Sequence, residues 1–279
     1  MDTLELKVDI QPKDPWSEIA IAQLADLGFD SFVETGSGFI AYAPANIDLE
    51  PILNASVLRT EREIQVTIQQ EIIPYQNWNA EWETNFQPVY VEEYASILAP
   101  FHTGAQVHGM KVVIQPQMSF GTGHHQTTWM MTKALFELDE MPNKVLDMGA
   151  GTGVLAIVAE KLGAKAILAV DIEDWSVENS VENVTRNGCQ YITCICGDID
   201  AVKETDFGLI AANINKNVLK VHLPHYSRLL FEGGILLLSG FFQSDVDELV
   251  HCAAEYNLQK VEVLVKDEWA AIKLIKTKG

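Results

Sequence analysis

Val145-Leu146-Asp147-Met148-Gly149-Ala150-Gly151-Thr152-Gly153-Val154 is the stretch that decides the fold. A short apolar strand runs into a turn with glycine at every second position. From Gly153 to Leu162 apolar residues then recur at helical spacing, and Gly163 stops them. Strand, glycine turn and helix in that order open a βαβ unit. The alternation continues outward, with a strand over Ala166 to Val170 and a helix over Asp174 to Asn187 ended by Gly188. Further strands are expected at Tyr191 to Cys196, Phe207 to Ala212 and Gly234 to Leu238, with helices at roughly 215–230 and 243–256 between and after the last two. This is the order of a doubly wound, mostly parallel α/β sheet. The last two strands, Gln259 to Val265 and Ala270 to Ile275, are joined by Lys266 to Trp269 alone. So short a link favours an antiparallel hairpin at the C-terminal edge.

Residues 1–72 read as a separate small α+β unit. Leu4-Glu5-Leu6-Lys7-Val8-Asp9-Ile10 alternates with the period of a half-buried strand. Asp14-Pro15 opens a helix with apolar Trp16, Ile19, Ala20, Leu24 and Leu27, stopped by Gly28. Phe32-Val33-Glu34 and Phe39-Ile40-Ala41-Tyr42 flank Gly36-Ser37-Gly38 as a hairpin. Asp48 stands where it would cap a second helix carrying Leu49, Ile52, Leu53 and Val57, with Pro51 in its first turn. Glu63 to Ile72 is the last strand. The order βαββαβ is ferredoxin-like. Residues 73–95 read as a linker, in which Trp78 and Trp82 share a helical face suited to packing. Residues 96–279 form the larger domain.

The glycine turn invites a ligand close to the backbone. A dinucleotide fingerprint needs a third glycine where Val154 stands, so a pyrophosphate cradle is disfavoured. Asp147 at the strand end reads as facing an amino group or a water, since it would repel phosphate. Asp171 ends the next strand, twenty residues after Gly151, where a carboxylate accepts both ribose hydroxyls. Asp198, after Cys196-Gly197, ends the third strand, where an adenine edge is read. Gly149 and Gly151, Asp171 and Asp198 together describe an adenosine with a positive, phosphate-free substituent, and S-adenosylmethionine fits that description.

Composition narrows the partners. The 279 residues are 48% hydrophobic and 21% charged, ample for a folded core. Nineteen Lys plus Arg against 39 Asp plus Glu give −20, which opposes attraction to nucleic acid or an anionic membrane and favours a positively charged partner. The start, Met1-Asp2-Thr3-Leu4-Glu5, is acidic and unlike a secretory signal, and no apolar run approaches the roughly 18 residues of a membrane span. Cys189, Cys194, Cys196 and Cys252 make no disulfide framework, and a cytoplasmic location is expected.

Ser119-Phe120-Gly121-Thr122-Gly123-His124-His125-Gln126-Thr127-Thr128, Asn77-Trp78-Asn79-Ala80-Glu81-Trp82, the Asp147 to Gly153 turn and Ala212-Asn213-Ile214 together resemble the bacterial ribosomal protein L11 methyltransferases. The resemblance runs from about residue 74 to the end, and the N-terminal unit agrees in length and element order. It implies a Rossmann-like methyltransferase domain that uses S-adenosylmethionine. It implies that Thr128, Gly149 and Asp171 contact this cofactor and that Asn213 stands beside the methyl donor. It also implies that the N-terminal unit binds L11, and that methyl groups go to lysine side chains and the protein's amino terminus. The chain is expected to act as a monomer, with no direct nucleic-acid substrate. Asn215-Lys216 departs from the small or apolar residues that many members carry there, which leaves the contacts beside Asn213 open.

Other readings stay open on the residues alone. Another methyltransferase of this fold would act on a different protein or a small molecule, and a binding module would retain Gly149 and Asp171 with little need for Asn213. His124-His125 lacks partners at metal spacing and reads as loop structure. Cys194 and Cys196 share a strand face and read as buried thiols. For the amine chemistry, neutralising a lysine at pH 7 costs about 4.6 kcal/mol, and a free amino terminus only about 1 kcal/mol.

Overall fold

The computed structural model of the chain describes residues 2–75, 78–117 and 119–278, with the backbone alone for 78–81. It divides into two compact units, Met1–Asn85 and Phe86–Gly279.

The first unit runs β1 (Thr3–Gln11), α1 (Trp16–Asp26), β2 (Ser31–Glu34), β3 (Gly38–Pro44), α2 (Leu49–Ala55), α3 (Val57–Thr60), β4 (Gln65–Ile73) and α4 (Trp78–Asn85). Its sheet has the order β2-β3-β1-β4, antiparallel throughout, as the ferredoxin-like pattern requires. Leu4, Leu6, Val8 and Ile10 on one face of β1 pack with Ala20 and Leu24 of α1 and with Phe39 and Ala41 of β3. Ile19 on α1 and Leu27 just past its end remain exposed.

The expected second helix is two. Ser56 is extended between α2 and α3, where its hydroxyl donates to the Leu53 carbonyl (2.9 Å) and the Gln23 side chain accepts the Val57 N–H (2.8 Å). The groups freed by the break are therefore satisfied locally. Asp48 stands at the N-cap of α2 but its side chain makes no capping hydrogen bond. Pro51, at the third helical position, has no N–H to give, which removes one of the two amides such a cap serves.

The second unit runs β5 (Val89–Val91), β6 (Ala95–Leu98), β7 (Met110–Val113), α5 (Gln126–Phe136), β8 (Lys144–Met148), α6 (Val154–Lys161), β9 (Ala166–Asp171), α7 (Asp174–Arg186), β10 (Ile192–Cys196), β11 (Phe207–Asn213), α8 (Lys216–Leu229), β12 (Leu230–Phe242), α9 (Val246–Ala254), β13 (Leu258–Lys266) and β14 (Trp269–Lys276). The stretch expected as a linker thus holds α4 and β5, and β5 pairs with β6 in a small three-stranded sheet. The Trp78 side chain of the expected Trp78–Trp82 face, and Asn77 of the same motif, lie outside the described residues.

The large sheet has the order β10-β9-β8-β11-β12-β14-β13. β10 through β12 are parallel, and the β13–β14 hairpin closes the edge antiparallel. Alternate strand residues feed two cores. Val145, Leu209 and Ala211 pack toward α5 and α6, while Leu146, Met148, Ile210 and Ala212 pack toward α8 and α9. The winding reverses between β8 and β11, and the C-terminal ends of strands at such a reversal leave a crevice.

Asp147 corrects one expectation. It lies on the α6 side of β8, 1% exposed, and accepts the Ala156 N–H at 3.0 Å. The N-cap of α6 is Gly153, which has no side chain, so this carboxyl serves one of the orphan amides of the first turn. Burial pushes it up from the ordinary 3.8 to about 7, with a smaller push from Asp171. From about pH 4 to about pH 7 the folded chain therefore holds a proton that the unfolded chain releases, and stability from this group falls as pH rises through that window. Measured by urea melts against Asp147→Asn, which does not titrate, the wild type should lose roughly 2 to 4 kcal/mol between about pH 4 and about pH 7.5. A difference that stays flat with pH would contradict this burial.

Candidate active site

A cavity of about 500 Å3 opens at the C-terminal ends of β8 to β12, a size suited to a small-molecule ligand. Its first wall is the glycine turn. Gly149 and Gly151 have φ of +74° and +56°, which favour glycine. Space matters more than conformation here. A Cβ at residue 149 would fall 2.1 Å from Ile214 Cγ2, and one at residue 151 would fall 2.2 Å from the Phe120 carbonyl oxygen. The two absent side chains let the β8–α6 turn, the β11 tip and the 119–125 loop converge.

Asp171 lines the cavity at the end of β9. One carboxylate oxygen accepts the Gly151 N–H at 2.8 Å and the other the Glu173 N–H at 3.1 Å. The backbone fixes the group while each oxygen keeps a lone pair for a ligand hydroxyl. Asp198 lines the cavity beyond β10; its Oδ1 accepts the Ile199 N–H at 2.6 Å and lies 3.3 Å from His222 Nε2. His222 also lines the cavity, and its Nδ1 sits 3.1 Å from the Tyr226 hydroxyl. Burial lowers the His222 pKa, against the opposing pull of Asp198, and burial lowers that of His125 as well. Both shifts favour the neutral imidazole.

Asn213 ends β11 at the reversal point. Its Nδ2 donates to Thr128 Oγ1 at 3.5 Å, and its Oδ1 is buried with no hydrogen-bond partner among the described residues. Asn213 lines the cavity, and an unpaired buried acceptor there is an unmet hydrogen-bonding need that a donor from a ligand can satisfy. Thr128 is fully buried and does not line the cavity; it stands behind Asn213, and Thr127 takes the lining position. The departure at 215–216 is accounted for. The Asn215 side chain caps α8 by accepting the Asn217 N–H (2.9 Å), and Lys216 pairs with Asp245 (2.8 Å) and Glu248 (3.1 Å) beside α9.

The far wall, on the β14 side, is aromatic. The Phe120 ring lies 5.2 Å from that of His125, which lies 4.5 Å from that of Trp269. His125 also caps α5, its Nδ1 accepting from Thr127. His124 turns away to the Gln87 carbonyl at 2.7 Å. Among the described residues, no cluster of His, Cys, Asp and Glu is placed to hold a metal ion. Cys194 is half-buried, its thiol pushed up to about 11 by burial, but Cys196 is exposed. β10 is an edge strand, so its tip lacks a covering neighbour.

Sequence reading reached Gly149, Gly151, Asp171, Asp198 and Asn213, all on the cavity wall. It missed Gly240, Trp269 and His222, and named Ile214 only as part of the Ala212-Asn213-Ile214 signature. Only His222 left a signal, as the polar member of the buried stripe Leu219, His222, Leu223 and Tyr226 on α8.

S-adenosylmethionine fits these residues. Three carboxylates, Asp171, Glu173 and Asp198, line the cavity, and among the described residues no lysine or arginine does. That charge repels a phosphate and suits a sulfonium and an amine.

Comparison with known proteins agrees. A sequence model of the ribosomal protein L11 methyltransferases (PrmA) matches residues 25–277. The ribosomal protein L11 methyltransferase of Porphyromonas gingivalis is 39% identical over 261 residues, 92% of this chain and 89% of that one. That of Phocaeicola vulgatus is 36% identical over 281 residues, 99% of each. The crystal structure of a ribosomal protein L11 methylase from Lactobacillus delbrueckii subsp. bulgaricus superposes with a TM-score of 0.64 at 27% identity, covering 69% of this chain and all of that one.

With Asp171 in the ribose-binding role expected from the sequence, its replacement by alanine should weaken S-adenosylmethionine binding by about 1 to 3 kcal/mol, and the Gly151 N–H also loses its acceptor. Calorimetry on the folded variant checks this, and an unchanged affinity would remove Asp171 from the binding set.

Proposed function

The chain belongs to the ribosomal protein L11 methyltransferase family, and we propose that it moves methyl groups from S-adenosylmethionine to amino nitrogens of ribosomal protein L11, on lysine side chains and on the amino terminus. The observation that carries this reading is the buried, unpaired acceptor of Asn213, a residue on the wall of an acidic cavity that, among the described residues, no lysine or arginine lines. When bound, S-adenosylmethionine supplies an electrophilic methyl carbon on a sulfonium.

The chain's own residues do the rest. Gly149 and Gly151 leave room beside the backbone, Asp171 would accept the ribose hydroxyls, and Asp198 would meet the adenine edge. Asn213 Oδ1 would accept an N–H of the incoming amine, which turns the nitrogen lone pair toward the methyl carbon. Thr128 holds the Asn213 amide from behind. Phe120, His125 and Trp269 exclude water around the amine, and together with a nearby sulfonium this desolvation favours its neutral form. No wall residue has to act as a strong base, because the amine can lose its proton to water before it is enclosed.

The first unit has its own core and sheet, and we assign it to recognition of L11. The reaction is placed in the cytoplasm, with a monomeric enzyme acting on protein and not directly on nucleic acid. The net charge of −20 supports a lysine-bearing partner. Among the described residues, no helix is long and apolar enough to cross a membrane.

Two measurements test the assignment. Asn213→Ala should lower kcat for L11 about ten- to hundredfold while S-adenosylmethionine affinity changes far less. Normal turnover with weakened cofactor binding would make Asn213 a binding residue only. Removal of residues 1–85 should leave calorimetric S-adenosylmethionine binding intact and reduce L11 methylation to background. A folded remainder that methylates L11 at the full rate would show that the first unit takes no part.

A further inference from the structure

We propose that Thr152 is a positioning residue that couples the glycine turn to the 119–125 loop, so that filling the nucleoside end of the cavity sets the aromatic wall at its amine end. The proposal rests on the methyltransferase reading above.

Thr152 belongs to the turn but does not line the cavity, and it is fully buried. Each of its polar groups is engaged. Its N–H donates to the Phe120 carbonyl at 2.9 Å, and its hydroxyl donates to the Gly121 carbonyl at 2.7 Å. One residue thereby clasps two consecutive carbonyls of the loop. Its own carbonyl accepts from Asn183 Nδ2 at 3.1 Å, and the preceding Gly151 carbonyl accepts from Ser180 Oγ at 2.7 Å. α7 therefore anchors the turn from behind. At the front, the Gly151 N–H is held by Asp171, the carboxylate assigned to the ribose.

The clasp is closely fitted. Gly121 has φ +103°, and a Cβ there would lie 2.7 Å from the Thr152 hydroxyl. Phe120 follows directly from these carbonyls. Its side chain stands half in solvent with its ring against His125, and His125 lies against Trp269. The strand order separates the two ends, because Asp171 ends β9 and Asp198 follows β10 on one flank and Trp269 begins β14 on the other. The connection between them runs Asp171, Gly151, Thr152, Phe120, His125. A hydrogen-bonded clasp makes the placement of Phe120 depend on the placement of the turn, so an ordered turn presents an ordered wall to the acceptor amine.

The full-length chain tests this with Thr152→Val, which keeps shape and backbone but loses the hydroxyl, and Thr152→Ser, which keeps it. Backbone hydrogen exchange over residues 119–125 is followed with and without S-adenosylmethionine, alongside cofactor affinity by calorimetry and steady-state kinetics on L11. S-adenosylmethionine should slow exchange of the loop in the wild type and the serine variant and not in the valine variant. KM for L11 should rise about tenfold in the valine variant, with kcat and cofactor affinity changing far less, and serine should restore it. Loop protection in the valine variant equal to wild type, or an unchanged KM, overturns the coupling. Wild-type protein that binds S-adenosylmethionine without protecting the loop overturns it too. Wild-type protein that fails to bind S-adenosylmethionine overturns the methyltransferase reading itself, and the coupling with it. Should the valine variant not fold, Thr152→Ala is put through the same measurements and judged by the same outcomes.

Discussion

At positions 149 and 151 the chain has no Cβ, and other parts of the molecule occupy the space. Ile214 fills the place beside Gly149, and the Phe120 carbonyl fills the place beside Gly151. Through these two approaches the turn after β8, the tip of β11 and the loop before α5 meet at one point. Asp171 ties the same turn to the end of β9 through the Gly151 N–H. A larger residue at position 151 would separate the segments by more than a neighbouring rotamer could absorb, because the obstacle there is backbone. The cavity, the placement of Asn213 and the clasp on the 119–125 loop all follow from that convergence.

Electrostatics then selects among ligands. Nucleotide sites in doubly wound folds set phosphates against helix N-termini and cations. Here the helix after the glycine turn has its first-turn amide taken by buried Asp147, and the cavity wall carries Asp171, Glu173 and Asp198. The same cradle geometry with the opposite charge suits an adenosine whose substituent is a cation. The amine we propose as acceptor is also a cation until it loses its proton, so a single charge pattern would serve the donor and the incoming substrate.

The parts legible in the sequence were those decided locally. A glycine turn between strand and helix, an acid at each of the next strand ends and an asparagine at the fourth are positions on one chain segment each. The doubly wound sheet follows from their alternation, and the antiparallel edge from the brevity of Lys266 to Trp269. Asp147 was misread because adjacent strand residues point to opposite faces. Its side chain shares the face of Val145, under α6, and its job there is to cap a helix whose N-cap is glycine. The aromatic wall was invisible because Phe120, His125 and Trp269 meet only through tertiary packing. β5 was invisible because it is three residues long and shows no period. His222 hid in an otherwise apolar stripe, where a histidine more often serves packing than a site.

The central claim is that this acidic, glycine-lined cavity transfers a methyl group to an amine of ribosomal protein L11. The most direct measurement is intact-mass and fragment mass spectrometry of purified L11 after incubation with the chain and S-adenosylmethionine bearing an isotopically labelled methyl group, with ribosomal RNA and a metabolite mixture as parallel acceptors. L11 should gain labelled methyl groups, carried by lysine side chains and the amino terminus. Label that appears in RNA or small molecules while L11 stays unmodified would contradict it.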